Sequence, residues 1–412
     1  MDATPEAPPR LREQRMFLRF CALRVGATSA AQMLNLVMGW QMYELTRSPW
    51  DLGLIGLVQF IPMLLVSLTA GQWADRMHRG RIVALCLALQ GLGVTLLLAA
   101  SMQDAVSRTL VLAVAALFGL ARGIQMPAQQ ALVPLLVPPG LLSRAMALSA
   151  SAGQAAIMAG PAIGGLLLLA GPSAAYAGCL VLVGLALALA ASLRYGHVPA
   201  AALPMTVESL LAGARFVWER KVLLAALSLD LFAVLLGGVT ALLPMFARDV
   251  LQVGPAGLGL LRAAPAVGAM AVAILLARVS LDRRVGARMM GAVVIYAAAM
   301  GVFGLSTQLW LSLLALAVSG AADMVSVVVR HTLVQAETPD AMRGRVGAVN
   351  AMFLGASNQL GEFESGATAA VMGPVGSVVF GALATLCIAG AWLRIFPQLV
   401  RRDRFATLQP QG

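Results

Sequence analysis

Twelve long apolar stretches run through these 412 residues, and the basic side chains between them fall almost entirely on alternate connections. A chain that is 60% hydrophobic and 11% charged, with a mean hydropathy of +0.85, cannot hide so much apolar surface in a water-filled setting without large exposed patches. Lipid is the solvent that fits. Windows of about 20 residues, long enough to cross a hydrocarbon layer of about 30 Å, place spans near 19–43, 52–74, 82–102, 108–132, 144–170 and 173–194, then near 222–247, 256–278, 286–306, 309–333, 346–371 and 375–396.

With the N-terminus assigned to the cytoplasm, 22 of the 29 Lys and Arg fall on the cytoplasmic side of those spans. Arg47, Arg108 and Arg248 fall on the other side, and Arg24, Arg122, Arg262 and Arg330 lie inside spans. The bias of positive charge toward the cytoplasm therefore predicts an even number of crossings with both termini inside. The net charge of +11 is scattered over short loops and does not form an aromatic-interleaved patch, so no nucleic-acid partner is expected. Cys21, Cys86, Cys179 and Cys387 sit in apolar spans at no metal-like spacing, which predicts packing roles, with no disulfide framework and no metal. The three histidines form no metal or nucleophile constellation, so neither an enzyme nor a cofactor is expected. Residues 1–18 lack the apolar run and small-residue site of a cleaved signal peptide.

The sequence divides into a tail (1–18), a six-helix half (19–195), a linker (196–221), a second six-helix half (222–396) and a tail (397–412). Within the linker, TVESLLAGARFVWER from Thr206 sets Leu210, Leu211, Ala214, Phe216 and Val217 against Glu208, Arg215, Glu219 and Arg220, the spacing of an amphipathic helix. The halves repeat. At an offset of 203, Met42, Tyr43, Gly56, Leu57 and Pro62 coincide with Met245, Phe246, Gly259, Leu260 and Pro265. At an offset of 201, Pro138, Arg144, Ala147 and Ala150 coincide with Pro339, Arg345, Ala348 and Ala351. A duplicated bundle predicts an all-α membrane protein of twelve helices in two pseudo-symmetric sets of six, with a site between them.

That layout, together with Gly71-Gln-Trp-Ala74-Asp75-Arg76-Met-His-Arg79-Gly-Arg81 between the second and third spans, resembles the major facilitator superfamily and its signature loop. His78 and Gly80 depart from the usual residues of that loop. A narrower likeness, in Trp40–Thr46, Leu229–Phe232, Leu243-Pro244, Gly344–Val346 and Ser357–Gly366, is similar to the branch holding enterobactin exporters and macrolide-efflux proteins. The resemblance implies alternating access and export. It also implies a latch in which Asp75, with Gly71, Arg76, Arg79 and Arg144, meets the start of the eleventh helix at Gly344 and Arg345. A carboxylate there would face the positive helix end and a guanidinium. Gly160-Pro161-Ala-Ile-Gly164-Gly165 in the fifth span resembles the antiporter motif of the superfamily, although small residues at this spacing also serve plain tight packing.

Ionisable groups within a bilayer are costly, so each is a candidate for function facing the interior. Asp230, Asp323 and Glu362 are the acids expected to bind and release a proton, and Arg122 and Arg262 the cations beside them; interhelical ion pairing is the structural alternative for each acid. Asp323 and Arg330 are seven apart on one face, too far for direct pairing, and Arg330 is expected to snorkel to the surface. Glu362 and Glu364 point about 200° apart. Glu362 shares the side of Asn358, and Glu364 is left to pair with another helix. Gln59 and Arg262 occupy equivalent repeat positions, so the second half gains a cation. Gln32, Asn35, Gln59, Gln125, Gln154, Phe232 and Asn358 are the candidates for a cavity wall, with lipid facing or core packing favoured over ligand contact for the aromatic. The reading at this level is a proton-coupled exporter of an amphipathic organic compound, siderophore- or drug-like, acting as a monomer. Metabolite uptake by the same fold and a non-transporting sensor or scaffold remain as alternatives.

Overall fold

The computed structural model describes residues 11–76, 78–193, 207–278 and 283–405, and all regular structure among them is helical. The first half supplies α1 (Arg15–Thr46), α2 (Pro49–Arg76), α3 (Arg79–Met102), α4 (Arg108–Leu136), α5 (Leu142–Leu168) and α6 (Pro172–Ala191). After α7 (Val207–Glu219) come α8 (Lys221–Gly237), α9 (Leu243–Met245), α10 (Gly254–Leu276), α11 (Val285–Leu305), α12 (Leu309–Glu337), α13 (Asp340–Ile395) and α14 (Pro397–Val400).

Among the described residues ten helices are long and apolar enough to cross a membrane. One of them lies within α13, which is broken at Gly373, where φ is 75° and ψ 170° ahead of Pro374. Only glycine adopts that backbone readily, so the Gly-Pro pair ends one span and starts the next. Counting α13 twice and adding α1 gives the expected twelve. The 32-residue α1 misses the apolar criterion because it carries Arg24, Gln32, Asn35 and Gln41 along its length. The seventh span differs from expectation: α8 stops at Gly237, a 3-10 turn follows at Thr240–Leu242, and α9 runs into a π-helical turn at Phe246–Val250. Gly237 and Gly238 in sequence, with Pro244 beyond, interrupt the backbone ladder there.

Two apolar clusters stay within a half. One joins Phe17, Phe20, Leu87, Leu132 and Ala186, and the other joins Leu223, Leu229, Met289, Val329 and Val346. A third crosses between halves, bringing Met42 and Tyr43 of α1 against Leu242, Phe246 and Leu258. The halves are thus packed together at the end where α1 finishes. Helix α7 buries Val217 in the cluster of the second half and sets Gly213 against the Arg345 backbone, whereas Leu211 and Trp218 stay exposed. Its apolar stripe is used on one side only.

Two helix crossings carry the contact between halves. On α2 and α13, a Cβ built at Gly53 would come 3.1 Å from the Gly366 Cα, and one at Gly56 would come 2.9 Å from the Glu362 Cβ. On α5 and α10, a Cβ at Gly165 would come 2.7 Å from the Gly259 Cα, and one at Gly259 would come 2.9 Å from the Pro161 carbonyl oxygen. Gly56 and Gly259 share the offset of 203, and Gly165 and Gly366 share that of 201, so the two crossings are copies of each other. Glycine at these points lets backbones touch, the means by which helices associate when lipid removes the hydrophobic drive between them.

Inside each half the same device recurs: a Cβ at Gly119 would overlap the Gln59 carbonyl on α2, and one at Gly320 would overlap the Pro265 carbonyl on α10. We predict that Gly119→Ala or Gly320→Ala destabilises the chain by about 1–3 kcal/mol through overpacking. Gly184→Ala, which meets nothing within 4 Å, leaves thermal unfolding in detergent unchanged or raised. Equal unfolding temperatures for all three variants would contradict the packing account.

Candidate functional site

Three cavities lie along the interior. The first half holds one of about 360 Å³, with Arg24 and Gln32 from α1, Arg122 and Gln125 from α4, and Gln154 from α5 on its wall. The second half holds one of about 190 Å³ bordered by Tyr296, Asp323, Asn358 and Glu362. Between them a narrow space of about 30 Å³ is shared by Asn35 and Gln59 of the first half with Arg262 and Glu362 of the second. Of the expected wall, Gln32, Asn35, Gln59, Gln125, Gln154 and Asn358 all line cavities. Phe232 does not: it packs edge-on against Trp392, with centroids 5.7 Å apart, because the face of α8 that carries it turns toward the last span.

Hydrogen bonds fix the polar wall. The Gln59 Nε2 donates to the Asn35 Oδ1 at 3.2 Å, and the Gln90 Nε2 donates to the Gln125 Oε1 at 2.8 Å. Arg262 donates to the Thr240 carbonyl at 3.1 Å, in the interrupted stretch after α8. The break in the seventh span thus supplies an acceptor for a cation that its own helix cannot satisfy. Glu362 shares the narrow space between the halves with Arg262, and its carboxylate rests against Gly56 at the α2–α13 crossing. Glu364 is half-buried on the other side of α13.

Asp230 and Arg330 form a buried ion pair between α8 and α12, with Arg330 only 2% exposed and the Ser326 hydroxyl 3.4 Å from Asp230. This corrects the expectation that Arg330 snorkels to the surface. Its partner is on a different helix, which a comparison with Asp323 alone cannot disclose. Asp323 borders the cavity of the second half and a small pocket shared with Asp230 and Tyr296. Arg330 keeps Nε and Nη2 without partners, so removing the carboxylate would leave a buried charge uncompensated. We predict that Asp230→Asn costs about 3–5 kcal/mol, and that the double change Asp230→Leu with Arg330→Met recovers most of it. Thermal unfolding of the purified protein checks this, and an Asp230→Asn variant as stable as the parent would remove the pair from the structural account.

For the latch residues, the Asp75 and Arg76 side chains and Gly71 lie outside the described residues. Arg79 is buried and donates to the Ala131 carbonyl on α4 at 2.9 Å, within its own half. Arg144 and Arg345 are exposed, Gly344 has open space around it, and the Arg345 Nη1 approaches the Met342 sulfur at 3.6 Å. The interior is correspondingly open toward the end that carries Arg144 and Arg345, and Asn358 on the cavity wall is exposed.

The opposite end is closed by polar contacts that sequence reading did not anticipate. Tyr43 donates to Asp249, Arg248 pairs with Glu44, and Arg47 lies 3.8 Å from Asp249, all between the end of α1 and the π-helical turn. Nearby Arg108 holds Asp51 at 2.7 Å. Partly exposed pairs of this kind contribute about 0–1 kcal/mol each, enough as a group to bias two conformations. We predict that Glu44→Gln with Asp249→Asn speeds labelling of a cysteine at Gly39, where an added Cβ would come 3.5 Å from Pro244, by a membrane-impermeant maleimide. An unchanged rate would show that these pairs do not hold the end shut.

The fifth-helix motif lies at two contacts at once. Gly160 and Gly164 face Ser29, Gln32 and Met33 of α1, while Pro161 and Gly165 face α10. Among the described residues no group of His, Cys, Asp and Glu is placed to hold a metal.

Against known proteins, residues 20–361 match the model of the Major Facilitator Superfamily. The chain is 27% identical over 381 residues to the Enterobactin exporter EntS of Shigella boydii serotype 18 (strain CDC 3083-94 / BS512), covering 92% of this chain and 90% of that one. Among solved structures, a bacterial homologue of the human lysosomal transporter Spinster, inward-facing and occupied, superposes with a TM-score of 0.75 at 14% identity over 97% of this chain and 99% of that one. The nucleoside transporter NupG superposes with 0.70 at 13% over 92% and 99%. Those two likenesses establish the fold alone. With the repeat, the paired crossings and a family match over most of its length, the chain belongs to the Major Facilitator Superfamily, a family of membrane transporters.

Proposed function

We propose that this chain is a proton-coupled exporter of an amphipathic organic compound, siderophore- or drug-like, that works by alternating access in the bacterial inner membrane. The likeness to an enterobactin exporter over nearly the whole chain supports export, and the fifth-helix motif at the α5–α10 crossing fits an antiporter. By the charge bias of the loops, the open end bearing Arg144 and Arg345 is cytoplasmic, as are both termini. The halves 19–195 and 222–396 rock about the two glycine crossings as single bodies within one monomer, tethered by the 196–221 linker. When the open end closes, Asp75 with Arg76 and Gly71 is drawn toward Gly344 and Arg345.

One observation carries the coupling: Glu362 is built into the joint itself. Its carboxylate packs on Gly56 where α2 crosses α13, in the space that Arg262 shares from the second half and that Gln59 and Asn35 share from the first. Opening that crossing changes its hydration and its distance from the first-half groups, and so its hold on a proton, which is what couples a proton to a conformation. Asp323, on the second-half cavity, is the next acid along this path. Asp230, held by Arg330, has a structural part.

The test is a substrate screen on everted vesicles with an imposed pH gradient. Glu362→Gln is expected to abolish gradient-driven accumulation while the protein stays inserted and folded, and Asp323→Asn to reduce it. Full ΔpH-driven transport by Glu362→Gln would remove the acid from coupling.

A further inference from the structure

The first-half cavity has a charge pattern that proton coupling at Glu362 does not by itself explain. Its wall contains Arg24 and Arg122 and no Asp or Glu. Arg24 is held in place by the Ser149 hydroxyl, which accepts from its Nη1 at 2.7 Å, and it lies over Gly153, where a Cβ would come 3.3 Å from the guanidinium. Glycine there leaves the guanidinium its room. Neither arginine has a carboxylate within ion-pair distance among the described residues.

The neutral groups point the same way. The Gln125 carbonyl oxygen is already taken by Gln90, which leaves its amide nitrogen to donate. The Gln129 Nε2 on the same wall is buried with no partner. Phe118 adds an apolar surface beside them. The cavity thus offers two cations and at least two amide donors around about 360 Å³, within the range of small-molecule pockets. Guanidiniums that line a half-buried cavity without a counter-charge favour an anion as its occupant, through charge-assisted hydrogen bonds.

We infer that this cavity is an anion-recognition site, in which Arg24 and Arg122 bind the carboxylate or other acidic oxygens of an aromatic organic anion. The inference rests on the transport reading and narrows its substrate from amphipathic compounds in general to negatively charged ones. Cationic drugs are excluded from this pocket by the same two arginines.

Equilibrium dialysis of the purified full-length protein with 1-naphthoate and with 1-naphthylmethylammonium, the same ring with opposite charge, tests it. Naphthoate is expected to bind saturably. Arg24→Gln and Arg122→Gln should each weaken it about tenfold or more, equivalent to about 1.4 kcal/mol, and Arg122→Lys should retain most of the affinity. A purely structural role for the arginines would weaken both probes alike, and that result would overturn the inference. So would tighter binding of the ammonium, or unchanged naphthoate binding in both Gln variants. Flux separates the two readings. Arginine-dependent naphthoate binding without gradient-driven movement would sink the exporter and leave the site standing, whereas gradient-driven transport of the cation alone would do the reverse.

Discussion

Backbone contact at two glycine crossings is the constraint on which the rest of this molecule depends. In lipid, apolar side chains gain nothing by leaving their solvent, so two six-helix halves stay together only where their surfaces fit closely or carry polar groups that need each other. Gly53 and Gly366 on one side, and Gly165 and Gly259 on the other, provide the fit. The ion pairs among Glu44, Arg47, Arg248 and Asp249 provide the polar need, at the same end. Because both kinds of contact are concentrated there, the opposite end is left apart, and the cavities open toward it.

Much of this architecture was legible in the sequence because its causes are local. Apolar length marked the spans, the windows 346–371 and 375–396 left between them the gap where Gly373-Pro374 breaks the helix, and the repeat offsets already paired Gly56 with Gly259. The signals that failed were those whose cause lies in another helix. Arg330 looked like a snorkelling residue when compared only with Asp323 on its own face, since its partner Asp230 is one hundred positions away. The contact of Tyr43 with Asp249 spans 206 positions and links two loop-proximal residues that no helical periodicity relates. For Phe232 the residue type left cavity wall and core packing both open, and only the rotation of α8 shows it against Trp392.

The interrupted seventh span shows how an irregular backbone earns its place in a bilayer. Unpaired carbonyls are tolerated at membrane depth only where they meet protein or line a cavity. Here the Thr240 carbonyl accepts from Arg262, and the Gly238 carbonyl accepts from the Ser365 hydroxyl on α13. The break therefore converts two would-be helix carbonyls into ligands for side chains at the joint between halves. A regular helix through 238–242 would keep those oxygens for itself and leave a buried guanidinium without this acceptor.

Duplication gives the halves one geometry, but their polar groups have diverged in sign. Gln59 faces the shared space where its counterpart is Arg262, and Pro161 occupies the register that Glu362 holds in the second half. The first half lines its cavity with amides and arginines, and the second half lines its own with Asp323 and Glu362. A symmetric interior would present the same charge to a ligand from both sides, and the proposed coupling needs a proton and a substrate kept apart. With the acids gathered on one side of the crossing and the unpaired cations on the other, the two can occupy different places in one cleft. In the proposed cycle, motion about the glycine crossings would alter both environments together, which is the physical requirement for linking the movement of one to that of the other.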